Sequence, residues 1–111
     1  MLRIEKKNNI EVISFTVNKI NALITDEIMD EIIKVLDKLN SGVIIDLKGV
    51  DYIDSSGFRI FLSILKRAEI NHIVLKFANP EPGVLKLLQT LHLHTVFQIY
   101  NDIDTCIRSF M

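Results

Sequence analysis

Cysteine is almost missing from the chain: one thiol, Cys106, occurs in 111 residues. A lone cysteine cannot close an internal disulfide, so a packed core must hold the fold, and a reducing compartment fits. Glycine (4) and proline (2) are also scarce, which excludes a low-complexity or disordered chain. Neither sign of charge dominates, with 13 Lys and Arg against 14 Asp and Glu and a net charge of −1. No basic face large enough to hold a phosphate backbone is expected, and there is no acidic tail, so no nucleic acid partner is expected. No uninterrupted apolar run approaches the length of about 18 residues that a membrane span needs. Met1 to Lys7 also lacks the apolar stretch of a leader. The chain reads as soluble and cytoplasmic, with no direct membrane insertion.

What is present is an ordinary globular composition, 49% hydrophobic and 24% charged. One domain spanning 1–111 is expected, and a multidomain enzyme is not. By area scaling such a globule exposes about 6,000 Å² of the roughly 18,000 Å² of its extended chain, so a real core can form.

Leu2 and Ile4 alternate with Arg3 and Glu5, Asn8-Asn9 supplies a turn, and Ile10 to Phe15 resumes the alternation, which predicts a hairpin. Asn18 to Asn21 reads as loop. Thr25 before Asp26 and Glu27 suits the positive end of a helix, as its cap, and the helix should run to about Leu39. Ile28, Met29, Ile32, Ile33, Leu36 and Leu39 make its buried stripe, and Asn40-Ser41-Gly42 stops it. Val43 to Leu47 follows a glycine as a β-branched apolar run, the pattern of a strand buried on both faces in mid-sheet. A second helix begins on the serines of Asp54-Ser55-Ser56-Gly57. Ile73 to Phe77 predicts another strand, Pro80 or Pro82 opens a third helix, and Val96 to Ile99 predicts a short edge strand. Asn101 caps a last helix with Ile103, Cys106, Ile107 and Phe110 on its docked face. Strand–helix–strand units after a hairpin give an α/β sheet with right-handed crossovers.

Few residues offer chemistry. His92 and His94 share one side if their segment is extended, but no third ligand stands nearby, so no metal is expected. Cys106 lies on an apolar face and reads as core. Asp26, Glu27, Asp30 and Glu31 match a helix dipole and a solvated face. No Ser–His–Asp signature, phosphate-binding glycine loop or dinucleotide fingerprint is present, so neither catalysis nor a cofactor is expected.

Asp54-Ser55-Ser56-Gly57 remains, and it carries two readings. As a cap, Asp and Ser satisfy the free N–H groups of the helix start. As a switch, the same helix start tolerates added negative charge, so a phosphate on Ser55 is accommodated without refolding. It would take the net charge from −1 to about −3 and expel a partner packed there. Along the following helix Phe58, Ile60, Phe61, Leu62, Ile64, Leu65 and Ala68 span an apolar arc of about 200° at 100° per residue. A core needs only about 100° of it. Ile60 and Ile64 at its flank either pack beneath a neighbouring helix or offer an apolar strip to a partner, beside the basic Arg59, Lys66 and Arg67.

The run Val43-Ile44-Ile45-Asp46-Leu47, followed by Val50-Asp51-Tyr52-Ile53-Asp54-Ser55-Ser56-Gly57-Phe58, resembles the STAS domain of bacterial anti-sigma-factor antagonists, and the likeness spans essentially the whole chain. It implies an α/β fold, a mixed four- to five-stranded sheet with helices packed mainly on one side. The resemblance further implies a partner-switching regulator of sigma-factor-dependent transcription. Unphosphorylated, such a domain binds an anti-sigma factor that is also a serine kinase. Phosphorylation releases it, and a serine phosphatase resets it. Ser55 matches the phosphorylated serine, Ser56 its neighbour and Asp54 the preceding aspartate. The implied docking surface comprises Asn18 to Asn21, Asp54, Ser55, Ser56, Gly57, and Arg59, Ile60 and Ser63 on the next helix. Where the family usually shows a glycine, an apolar residue and an aspartate, this chain has Asn18, Ile20 and Asn21, so an acidic contact is expected to be lost while Asn18 keeps a left-handed turn. Arg59 replaces a frequent second glycine. The alternative is a STAS accessory subunit of a membrane transporter ATPase or another assembly, with no phosphorylation cycle.

Overall fold

Near-continuous apolar runs give the central strands two faces to bury, and the chain covers both. The computed structural model describes residues 1–38 and 42–111. β1 (Leu2–Lys7) and β2 (Ile10–Phe15) form the opening hairpin, with Lys7 opposite Ile10 and Leu2 opposite Phe15. Asn8 and Asn9 both have positive φ, 53° and 66°. That is the turn whose twist matches paired strands, and asparagine enters it at less cost than other L residues.

Then follow β3 (Lys19–Ile20), α1 (Thr25–Lys38), β4 (Val43–Asp46), β5 (Tyr52–Ile53), α2 (Ser55–Ile70), β6 (Leu75–Ala78), α3 (Pro82–Thr90), β7 (Ile99–Tyr100) and α4 (Ile103–Arg108). The main sheet has five strands in the order β1-β2-β4-β6-β7. β1 is antiparallel and the remaining pairs are parallel, so the sheet is mixed, as expected. β3 and β5 pair separately in parallel.

Alternation decides which side each residue serves. Ile13, Phe15, Val43, Ile45, Leu75 and Phe77 join the core beneath α1, α2 and α3, whereas Ile10, Val12, Ile44 and Ala78 pack on Cys106 and Ile107 of α4. Three helices therefore cover one face and one short helix the other. Phe15, Phe61, Phe77 and Phe97 form a chain of ring contacts with successive centroids 6.4, 5.5 and 4.7 Å apart. Lys76, also on the α4 face, is buried. Its ammonium donates to the Ser109 carbonyl (3.1 Å) and hydroxyl (2.8 Å) and lies over the Phe110 ring at 4.5 Å. A charge buried there is tolerated because these partners replace its water.

Several boundaries differ from the sequence reading. Lys19–Ile20 is a strand within the expected loop, because it finds Tyr52–Ile53 to pair with. Thr25 is not a cap: it is buried inside the helix start, and its hydroxyl donates to the Ala22 carbonyl at 3.5 Å. The expected stripe holds at Ile28, Ile32 and Leu36, which are fully buried, and at the half-buried Met29 and Ile33. Leu39, Asn40 and Ser41 lie outside the described residues, and Gly42 does not take positive φ. β6 starts two residues late because the Ile73 N–H closes the exit of α2 on the Ala68 carbonyl. β7 is shifted, since the N–H groups of Val96 and Phe97 both donate to the Leu93 carbonyl and hold them in a turn. Of the two prolines, Pro82 opens α3. Asp102, not Asn101, caps α4, accepting from the Thr105 N–H at 2.7 Å. That geometry needs the acceptor three residues before the donor, and Asn101 stands one too early.

Candidate functional site around Ser55

The segment leading into α2 meets the segment before α1 through backbone hydrogen bonds. The Asn18 carbonyl accepts from Asp51 N–H (2.8 Å), and the Ile20 carbonyl accepts from Asp54 N–H (3.1 Å). The expected loop and the Asp-Ser-Ser-Gly segment are thus brought side by side. Asn18 is not among the residues of positive φ, so the expected left-handed turn is absent. Asn18 is instead a bend just before β3, and its carbonyl accepts from the Asp51 and Tyr52 N–H groups.

Asp54 is the residue that joins the two. It is the N-cap of α2, and its Oδ1 accepts from Gly57 N–H at 3.1 Å and from the Ser56 hydroxyl. Its Oδ2 accepts from Ala22 N–H at 3.2 Å. The Ser56 hydroxyl, with the Gly57 and Ala22 N–H groups behind it, holds the Asp54 carboxyl below the usual carboxylate range against the opposing effect of desolvation. Asn21 turns inward to its own loop, its side-chain oxygen accepting from Leu23 N–H at 3.0 Å, and brings no charge to the serines.

The two serines differ. Ser56 is half-buried and its hydroxyl is committed to Asp54. Ser55, the first residue of α2, is exposed, and among the described residues its hydroxyl has no hydrogen-bond partner. Gly57 is fixed by space: a Cβ there would stand 2.5 Å from Ile53 Cγ2 and 3.1 Å from Ile20 Cγ2. Only glycine lets α2 start this close to the paired β3 and β5.

Further along α2, Arg59 is exposed, and Ser63 is half-buried with its hydroxyl donating to the Arg59 carbonyl. Ile60 does not belong to the surface. It is 7% exposed and packs in the main core, as does Ile64 at 0%. The arc of α2 serves the core on that flank because the neighbouring elements cover it. Sequence reasoning missed Ala22 and Leu23. Leu23 is 92% exposed, and the available signal was an apolar residue standing outside the periodic stripe of α1.

The other candidates gather nothing. His92 has φ 58° and His94 lies in a 3₁₀ turn, not a strand, with their rings 6.2 Å apart. Among the described residues no three His, Cys, Asp or Glu side chains converge as metal ligands, and no helix is long and apolar enough to cross a membrane. Burial pushes the Cys106 thiol up to about 11, so it is unreactive at neutral pH.

A sheet order of β1-β2-β4-β6-β7 with a capped serine at the start of α2 agrees with a family match over residues 1–106, to the STAS domain. The chain belongs to the STAS family. An anti-sigma-factor antagonist (STAS) domain protein from Planctomyces limnophilus superposes with a TM-score of 0.89 at 20% identity, covering 98% of this chain and 97% of that one. The Bacillus cell fate determinant SpoIIAA, in its phosphorylated form, gives 0.73 at 17% identity with 100% of both chains covered. The murine solute carrier 26 family member A9 anion transporter gives 0.71 at 12% identity, covering 88% of this STAS domain and 17% of the transporter. At these identities the likenesses establish the fold.

Proposed function

We propose that this STAS domain is an anti-sigma-factor antagonist, a single-domain partner-switching module that works in the cytoplasm and has no catalytic activity of its own. Unphosphorylated, it binds an anti-sigma factor that is also a serine kinase. Phosphorylated on Ser55 it lets go, and a serine phosphatase restores it. The observation that carries the reading is the contrast between two adjacent hydroxyls: Ser55 is exposed and unengaged while Ser56 is spent on Asp54. A phosphate on Ser55 adds about two negative charges at a helix start, where the dipole favours them, so the scaffold has no need to rearrange. Asn18, Asn21, Asp54, Ser56, Gly57, Arg59 and Ser63 build and border the surface the partner covers. The likeness to a phosphorylated STAS protein supports the same reading.

Incubation with the kinase and ATP, followed by peptide mass spectrometry, is the test. One phosphate on Ser55 is the expected result, with none on Ser55→Ala. A phosphate on Ser56, or none at all, overturns the reading.

The likeness to a domain of an anion transporter favours a second reading, a STAS accessory subunit of a membrane transporter ATPase or another assembly, without a phosphorylation cycle. Ser55→Asp would then bind its partner as well as the parent does.

A further inference from the structure

The outward side of α2 is not neutral. Ser55, Arg59, Leu62 and Lys66 stand at i, i+4, i+7 and i+11, which places them on one line along the helix. Ser55, Arg59 and Lys66 are exposed, and Leu62 is 40% exposed. Beyond the N-terminal end of this line stands Leu23. Its side chain is free, but its backbone is held, since Asp54 takes the Ala22 N–H and Asn21 takes the Leu23 N–H. An apolar side chain presented on a fixed backbone loses little freedom on docking.

The charges on this line are of one sign. Arg67, another cation of α2, is engaged by Asp37 at 3.1 Å. Glu69 is the helix's only carboxylate and lies in its last turn. Asp26 and Glu27 belong to the neighbouring helix, at the start of α1. Cations between and beyond two apolar anchors call for a complementary surface with apolar sockets and carboxylates at their rim.

We infer that the partner of the Ser55 surface carries an acidic-rimmed apolar socket, which takes Leu23 and Leu62 as anchors and sets its carboxylates over Arg59 and Lys66. This rests on the proposed function and names the chemistry of its partner. It also explains why a phosphate expels that partner. The dianion on Ser55 stands against the partner's carboxylates, and Arg59, one turn away on the same line, turns to the phosphate and leaves the partner unpaired.

The test measures dissociation constants for the purified serine kinase that modifies Ser55, using the full chain and Leu23→Ser, Leu62→Ser, Arg59→Glu, Lys66→Glu and Ser55→Asp. Thermal melts of each variant ensure that only folded protein is compared. Leu23→Ser and Leu62→Ser are each expected to weaken binding about tenfold or more. Arg59→Glu and Lys66→Glu should weaken it and flatten its dependence on salt. Leucine variants that bind within twofold of the parent, or acidic variants that bind more tightly, overturn the inference. If Ser55→Asp alone loses binding, the switch stands and the anchors fall. If the leucine variants lose binding while Ser55→Asp keeps it, the anchors stand and the switch falls. A kinase that binds none of these proteins, the parent included, removes both.

Discussion

Asp54 carries more of the site than the serine it precedes. Its two oxygens tie the start of α2 to the segment before α1, so the surface around Ser55 depends on its ionised form. A carboxyl whose value is lowered by folding contributes stability that is present above its ordinary value of 3.8 and is lost as the pH falls through the lowered one. Amide exchange is expected to show Ala22 and Gly57 losing protection in that acidic window, before the central strands do. Asp54→Ala should give the same selective loss at neutral pH. Equal protection at Ala22 in the parent and Asp54→Ala would contradict the clamp. Gly57 is a second fixed point: Gly57→Ala drives a methyl against Ile53 and Ile20. The variant should unfold at a lower denaturant midpoint, with a loss of about 1–3 kcal/mol. The cap was legible in the sequence because Asp, Ser and Gly announce a helix start locally. Ala22 was not, because a backbone N–H reaching a carboxylate 32 residues away leaves no local pattern; Leu23 left only the weaker sign of an apolar residue outside the stripe of α1.

At the scale of elements, the hairpin and the long helices follow from period and turn chemistry, and the short elements do not. Asn8-Asn9 and the stripe of α1 can be read directly. The two-residue strands β3 and β5 exist only because each meets the other, and β7 is placed by where Phe97 finds room against Phe77. α4 is the least self-sufficient helix, with 6 residues. Isolated helices of that length are unstable in water, so packing must hold it. Lys76, with its bonds to Ser109, supplies part of that hold. Lys76→Ala leaves the half-buried Ser109 carbonyl and hydroxyl without their donor, a loss of about 1 kcal/mol, and should free α4 first. Cys106 reports this directly. Its thiol, held at about 11 on the buried side of α4, should resist alkylation at pH 8 in the parent and react readily in Lys76→Ala. Equal rates in the two proteins would show that α4 stays docked without the lysine.

Across the whole molecule, the sheet separates two tasks. One face, under α1, α2 and α3, builds the large core and carries Ser55 at its rim; the other is closed by α4. β4 lies at the centre, paired on both edges and buried on both faces. In the proposed switch, a charge added to an exposed hydroxyl at the start of α2 would act on what docks there and leave the core untouched. Calorimetric titration of the serine kinase with the unphosphorylated chain and with the chain phosphorylated on Ser55 tests this most directly. The phosphorylated form is expected to bind at least about tenfold more weakly, a difference of about 1.4 kcal/mol or more, with an unchanged circular dichroism spectrum. Equal affinities for the two forms would contradict it.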